Sequence, residues 1–168
     1  MEHYVESAVR INATSKKVWE ILDDFGGVEN FSFGVEQSPI IGEKSSGLGA
    51  KQHCVFYDKK SVYEEIIEYE ENKSFKVVLS ELSMPMRTMF AGFSVEKVTD
   101  TTCEVSMYMD FVVKLGPLGA LMGMVIMRPM MKGLQKKLLS GLAYYSFTGK
   151  TIGSELPPSE ELAQALVS

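Results

Sequence analysis

Little in this 168-residue chain offers redox, metal or imidazole chemistry. Its two cysteines, Cys54 and Cys103, are too few and too far apart for a zinc motif or a CxxC redox pair. Both fall in strand-like segments, where a free thiol ordinarily serves as a small buried hydrophobe. His3 and His53 are the only histidines. Consecutive strand residues point to opposite faces, so His53 cannot form a local dyad with Cys54. No metal-ligand spacing occurs, and neither a metal nor another cofactor is expected. The chain also lacks a run of about 18 uncharged apolar residues, the length that crosses a bilayer. Its most apolar stretch, 115–131, is interrupted by three glycines, by Pro129 and by Arg128, so no transmembrane segment is expected. Glu2, His3 and Glu6 precede any apolar run, unlike a signal peptide, and a cytoplasmic location follows as the expectation. An excess of basic charge is missing too. The net charge of −5 argues against nucleic acid as a partner, and the small cluster Lys132, Lys136 and Lys137 reads as a solvated helix face. The glycines of 42–49 are not followed by Gly-Lys-Ser/Thr, which excludes a phosphate loop.

What the chain does have is a long, methionine-rich final helix, expected over 118–147. Leu121, Met124, Met127, Met131, Leu134, Leu138, Leu142 and Tyr145 recur at steps of three and four, the spacing of one apolar stripe. Pro129 removes a helical hydrogen bond and is expected to kink or split the run. Unbranched thioethers fill irregular space, so Met122, Met124, Met127, Met130 and Met131 suit either an adaptable cavity wall or ordinary packing against a sheet.

The preceding chain reads as that sheet. Residues 3–11 alternate as an opening strand. Asn12-Ala13-Thr14-Ser15 then offers candidate caps for a first helix carrying Val18, Trp19 and Leu22, which Gly26 and Gly27 stop. A short second helix or turn follows over 28–31. Strands are expected near 35–41, 50–58, 61–70, 74–81, 88–98 and 102–113, joined by turn-forming residues. In the last of them Val105, Met107, Met109 and Phe111 alternate with polar residues, as in a sheet covered on one face. The expected fold is α+β: a seven-stranded curved antiparallel sheet gripping a long C-terminal helix, with two short helices after the first strand. Residues 1–148 form this domain. Residues 149–168 form a tail in which Ser159 caps a possible short helix with Leu162, Ala165 and Leu166 on one face.

Candidate chemistry is sparse. Glu64, Glu65, Glu68, Glu70 and Glu71 alternate as solvated strand positions. Glu64 turned inward would instead be a buried carboxylate able to hold a ligand hydroxyl or act as a base. Arg87 and Arg128 either form surface ion pairs or meet an anionic head group at a cavity mouth. No catalytic constellation emerges.

The run from Ile11-Asn12-Ala13-Thr14-Ser15 through Val18-Trp19 to Asp24-Phe25 resembles the opening of the START-like (SRPBCC) superfamily, in particular its polyketide cyclase/dehydrase and lipid-transport group. Gly47-x-Gly49 before a strand, Phe93-Ser94-Val95 with Thr101-Thr102-Cys103-Glu104-Val105, and the helical segment 134–145 are similar to later parts of the same group. Asn30-Phe31-Ser32-Phe33 departs from it where a tryptophan is usual. The resemblance implies the helix-grip fold, with a cavity between sheet and terminal helix suited to a hydrophobic small molecule. Ligand contacts are then expected from Phe33, Phe56, Phe75, Met89, Phe93, Met107, Met109, Phe111, Met124, Met127 and Met131, with Glu64, Arg87 and Arg128 as candidate polar groups. The first function expected is binding or transport of a lipid, fatty acid or polyketide-like compound without catalysis. The alternatives are a polyketide cyclase/aromatase-type enzyme using the same cavity and a protein-interaction module. Either a monomer or a homodimer is compatible with the sequence.

Overall fold

A computed structural model describes residues 2–168. Strand β1 spans Glu2–Ile11. The Thr14 hydroxyl then accepts the Lys17 N–H at 3.1 Å, an N-cap that satisfies one of the free donors of helix α1, Ser15–Asp23. This helix buries Val18, Trp19 and Leu22, and the Trp19 ring meets those of Tyr69 and Phe75. A turn over Phe25–Gly27 leads into the short helix α2, Val28–Phe31.

The meander follows as β2 Val35–Gln37, β3 Ile40–Ile41, β4 Lys51–Phe56, β5 Ser61–Glu70, β6 Ser74–Ser80, β7 Met86–Lys97 and β8 Cys103–Val113. Two residues near the C-terminus, Leu166–Val167, form β9. The strands lie in the order β2-β4-β5-β6-β7-β8-β1-β9, with β3 also on β4, and every pair is antiparallel.

The described residues thus form nine strands in one curved sheet, where seven were expected. The expected strand 35–41 breaks at Ser38-Pro39. Proline has no N–H for the ladder, and the buried Ser38 hydroxyl turns inward, donating to Gly26 O at 2.7 Å and accepting from Glu29 N–H at 3.0 Å. The ninth strand comes from the tail. Gly149 ends the long helix in the left-handed conformation (φ 74°), Ile152 is buried, and helix α5, Ser159–Ala165, delivers Leu166 and Val167 to Ile11 and Arg10 of β1.

The long helix runs 33 residues, as α3 Gly116–Met122, a wide π-helical turn Gly123–Met127, and α4 Arg128–Thr148. Pro129 does not split it. The wide turn lies just before the proline, where an α-helix would lose a hydrogen bond and meet the ring.

The inward stripe differs from the expected one. Gly119, Gly123, Met127, Met131, Gln135 and Leu139 are buried, whereas Leu118, Leu121, Met124 and Val125 are exposed. Close approach is the reason: a Cβ on Gly119 would lie 1.8 Å from the Lys114 carbonyl oxygen, and one on Gly123 would lie 2.2 Å from His3 Nε2. Only glycine fits there. Side chains of α4 also serve the part of β1 that β9 leaves uncovered: Gln135 donates to Val5 O at 3.0 Å, Arg128 to Tyr4 O at 3.4 Å, and Lys132 to Glu6 O. Bonds of this kind blunt an open strand edge.

Candidate functional site

Alternation along the central strands places one side chain in two on the concave face, and the register stacks these into rows. Phe75, Phe93 and Met107 form one row across β6, β7 and β8, and Val77, Ala91 and Met109 form the next. Above them α4 contributes Met131, Leu134 and Leu138, and the segment after α1 contributes Phe25, Phe31 and Phe33. A cavity of about 440 Å³ lies between, completed by Cys54 and Phe56 of β4, Val62 and Glu64 of β5, and Leu79 of β6. Its rim holds the exposed Tyr57, Asp58 and Ser83. Beside the rim the Lys137 ammonium lies 5.2 Å from the centre of the Phe33 ring, within range of a cation–π contact.

Eight of the apolar residues nominated from the sequence line this space: Phe33, Phe56, Phe75, Met89, Phe93, Met107, Met109 and Met131. Phe111, Met124 and Met127 do not. Phe111 is buried one row farther along, stacked on the His3 ring at 5.2 Å, because the glycine face of the helix closes down on that end of the sheet. Met124 faces solvent at 48% exposure, and Met127 is buried in the helix–sheet contact outside the lining. The polar candidates divide in the same way. Arg87 and Arg128 are exposed and outside the cavity, and Arg128 is bonded to the β1 backbone.

Glu64 does face the cavity. The side chain of Gln52, directly opposite on β4 and fully buried, donates to Glu64 Oε2 at 2.8 Å. Burial raises the Glu64 carboxyl above the usual carboxylate range, and the Gln52 bond opposes that only in part. Its neighbour Glu65 points the other way, with an oxygen 4.0 Å from Lys51 Nζ. Glu64 is thus a hydrogen-bond acceptor set in an otherwise apolar wall, and a group whose proton is held more tightly than in water.

Cys54 beside it is no nucleophile. Burial, and then the charge of Glu64, push its thiol up, and the reactive form of cysteine is the thiolate. His53 is on the opposite face, stacked on Tyr63 at 4.3 Å. Among the described residues no three His, Cys, Asp or Glu side chains are grouped to hold a metal ion.

Sequence reasoning did not nominate Phe25, Phe31, Val77, Ala91, Leu134 or Leu138 as lining residues. The alternation that carries Phe75 also carries Val77, and the helical steps that carry Met131 also carry Leu134 and Leu138, so these three were within reach of the pattern. Phe25 and Phe31 arrive through a turn whose direction no periodicity encodes.

Comparison with known proteins agrees with this architecture. The model of the family described as polyketide cyclase / dehydrase and lipid transport matches residues 2–146. No curated protein sequence matches. Among solved structures, an uncharacterised protein of Bacillus thuringiensis superposes with a TM-score of 0.69 at 14% identity, covering 83% of this chain and 96% of that one. A START superfamily protein of Mycobacterium smegmatis gives 0.62 at 18% identity, covering 88% and 95%. Norcoclaurine synthase of Thalictrum flavum, in complex with dopamine and hydroxybenzaldehyde, gives 0.58 at 16% identity, covering 83% and 87%. At these identities the solved structures speak for the fold, and the family model spans nearly the whole chain: it is a START-like protein with the helix-grip fold and belongs to the polyketide cyclase/dehydrase and lipid-transport family.

Proposed function

We propose that this protein binds and carries a hydrophobic small molecule bearing a hydroxyl or amine, a lipid-like or polyketide-like compound, with Glu64 accepting its hydrogen bond. Family and fold fit a hydrophobic-ligand-binding domain. The observation that carries the finer reading is the cavity of about 440 Å³, apolar except for a few groups, with the Glu64 carboxylate in its wall. That volume lies in the range of roughly 300–1,000 Å³ usual for small-molecule sites. Affinity comes from apolar ligand surface removed from water, at about 25 cal/mol per Å² before binding costs are subtracted. Orientation comes from Glu64: Gln52 pairs one of its oxygens, and a ligand lacking a donor leaves the remaining acceptor capacity of this buried group unpaired. Two buried free thiols suit a reducing compartment such as the cytoplasm.

A specific observation also favours a second reading. A carboxyl held above its ordinary range inside a cavity is suited to accept a proton from a reacting substrate, so a cyclase/aromatase-type reaction with Glu64 as base uses the same geometry. Norcoclaurine synthase, on the same fold, has been solved with two aromatic compounds bound.

Native mass spectrometry of the purified protein, with extraction of anything bound, gives the ligand class. Titration with the neutral fluorophore N-phenyl-1-naphthylamine measures the cavity directly. Met109→Asp is expected to weaken probe binding at least tenfold, since a charge buried without a partner costs several kcal/mol. Equal binding by the wild type and this variant would sink the cavity reading. An extracted molecule that stays chemically unchanged on incubation with fresh protein marks a carrier; conversion that stops in Glu64→Gln marks the enzyme.

A further inference from the structure

The outward face of the long helix changes character along its length. From Leu118 the solvent side runs through Leu118, Leu121, Val125, Arg128, Lys132 and Lys136 at steps of three and four, and all six are exposed. The first three are 66%, 57% and 62% exposed, and Leu115, Ile126 and Met130 on the same stretch of chain are exposed as well. A continuous exposed apolar patch marks an interaction site. The fold produces it: Gly119 is packed on the Lys114 carbonyl just after β8 and Gly123 on His3 of β1, which turns the bulky residues of α3 and the wide turn outward.

Charge is segregated on the same element. Between Asp110 and Glu155 the sequence has no acidic residue but carries Lys114, Arg128, Lys132, Lys136, Lys137 and Lys150, within a chain of net charge −5. Among the described residues none of the six pairs with a carboxylate; Arg128 and Lys132 each give a donor to a β1 carbonyl and keep further donors facing solvent. Nor is any helix long and apolar enough to cross a membrane.

We propose that this face docks on an anionic lipid surface, with Leu118, Leu121 and Val125 entering the interface and Arg128, Lys132 and Lys136 lying among the phosphates. An apolar stripe continued by cations is how an interfacial helix binds, and each cation adds to the attraction of an anionic leaflet. A second copy of the chain is a poorer occupant. A two-fold contact apposes the same patch from both copies, and this element brings only like charges to it. The docked face also adjoins the cavity rim: Lys114 N–H donates to Pro85 O at 2.9 Å, tying the helix start to the loop whose Leu82, Ser83 and Met84 line the cavity. Docking itself does not depend on what the cavity holds.

Flotation of the full chain with vesicles of phosphatidylcholine alone, and of phosphatidylcholine mixed with phosphatidylglycerol, tests this. The protein is expected to float with the anionic vesicles, much less with the neutral ones, and to be released by high salt. Leu121→Glu with Val125→Glu abolishes flotation. Lys132→Gln with Lys136→Gln lowers partitioning roughly 25-fold, about five-fold per cation. All four side chains are exposed, and circular dichroism confirms that the variants keep the fold. Absence of flotation with both vesicle types, or equal flotation of wild type and both variants, overturns the proposal. So does a dimer, seen by light scattering in protein that does not float and lost in Leu121→Glu with Val125→Glu, which assigns the face to a second copy.

Discussion

At the scale of single residues the functional weight falls on Glu64, and its titration gives a signed prediction. Burial raises its carboxyl in the folded protein. Between the ordinary value, about 4.3, and the raised one, the folded chain holds a proton that the unfolded chain has released. Stability therefore falls as pH rises through that window and is fullest below it. Each unit of the shift is about 1.4 kcal/mol. Glu64→Gln keeps a partner for Gln52 and removes the titration. The variant is expected to melt higher than wild type at pH 8, by roughly 2–4 °C per kcal/mol for a chain of this size, with the two curves converging near pH 4. A variant that melts lower at pH 8 would mean that the carboxylate is stabilised where it sits. Part of this residue's role was legible: alternation separates Glu64 from Glu65 onto opposite faces. Which of the two faces the cavity was not, because both lie in a run of glutamates that gives neither face an apolar signature.

The long helix shows how an element can be recognised while its phase is misjudged. Its length and Pro129 were plain in the sequence, and from Met131 onward the expected steps Leu134 and Leu138 reach the cavity and Leu142 the core, while Gln135 and Leu139 are the residues buried beside them. In the first half the rule that apolar residues point inward is inverted, since what faces the sheet is Gly119 and Gly123. Gly123 is the sharper test. An alanine methyl there meets the buried His3 ring, itself stacked on Phe111. Overpacking costs roughly 1–3 kcal/mol, against about 1 kcal/mol that alanine gains in helix propensity over glycine. Gly123→Ala is expected to lower the melting temperature. His3→Ala should recover part of that loss, because the double substitution removes the clash. Melting curves of the four proteins give the coupling, and strictly additive effects would show that the ring and the methyl do not meet.

For the molecule as a whole the unexpected component is the tail. Residues 149–168 carry Pro157, Pro158 and a seven-residue helix, yet the chain closes on itself through them. Ile152 N–H donates to Asn30 O and Asn12 N–H to Ala165 O, both at 2.8 Å, and Ile152 and Ala165 are buried. Ending the chain at Thr148 removes these bonds and that burial. The expected cost is about 3 kcal/mol, from an isoleucine side chain at roughly 1.5–3 kcal/mol and hydrogen bonds at about 1 kcal/mol each, less the ordering entropy regained. Thermal melting of the truncated chain checks it, and an unchanged midpoint would show that the tail adds no stability.

The sequence by itself determined the order of elements, the alternation of the strands and the α+β class, because periodicity and turn chemistry act over a few residues and survive any change of neighbours; the helix-grip fold followed from the resemblance that Ile11 to Phe25 and the later segments carry. It also brought forward part of the cavity wall, Phe75, Met89, Phe93, Met107 and Met109 among it, since a strand that is apolar on one face can bury only that face. Tertiary structure alone decided which glutamate enters the cavity, which face of the long helix meets the sheet, and that the tail supplies a ninth strand. The glutamate run carries no apolar signature, the ninth strand pairs residues far apart in the chain, and at Gly123 the close approach to His3 selects glycine, which has no side chain to leave a pattern in the sequence.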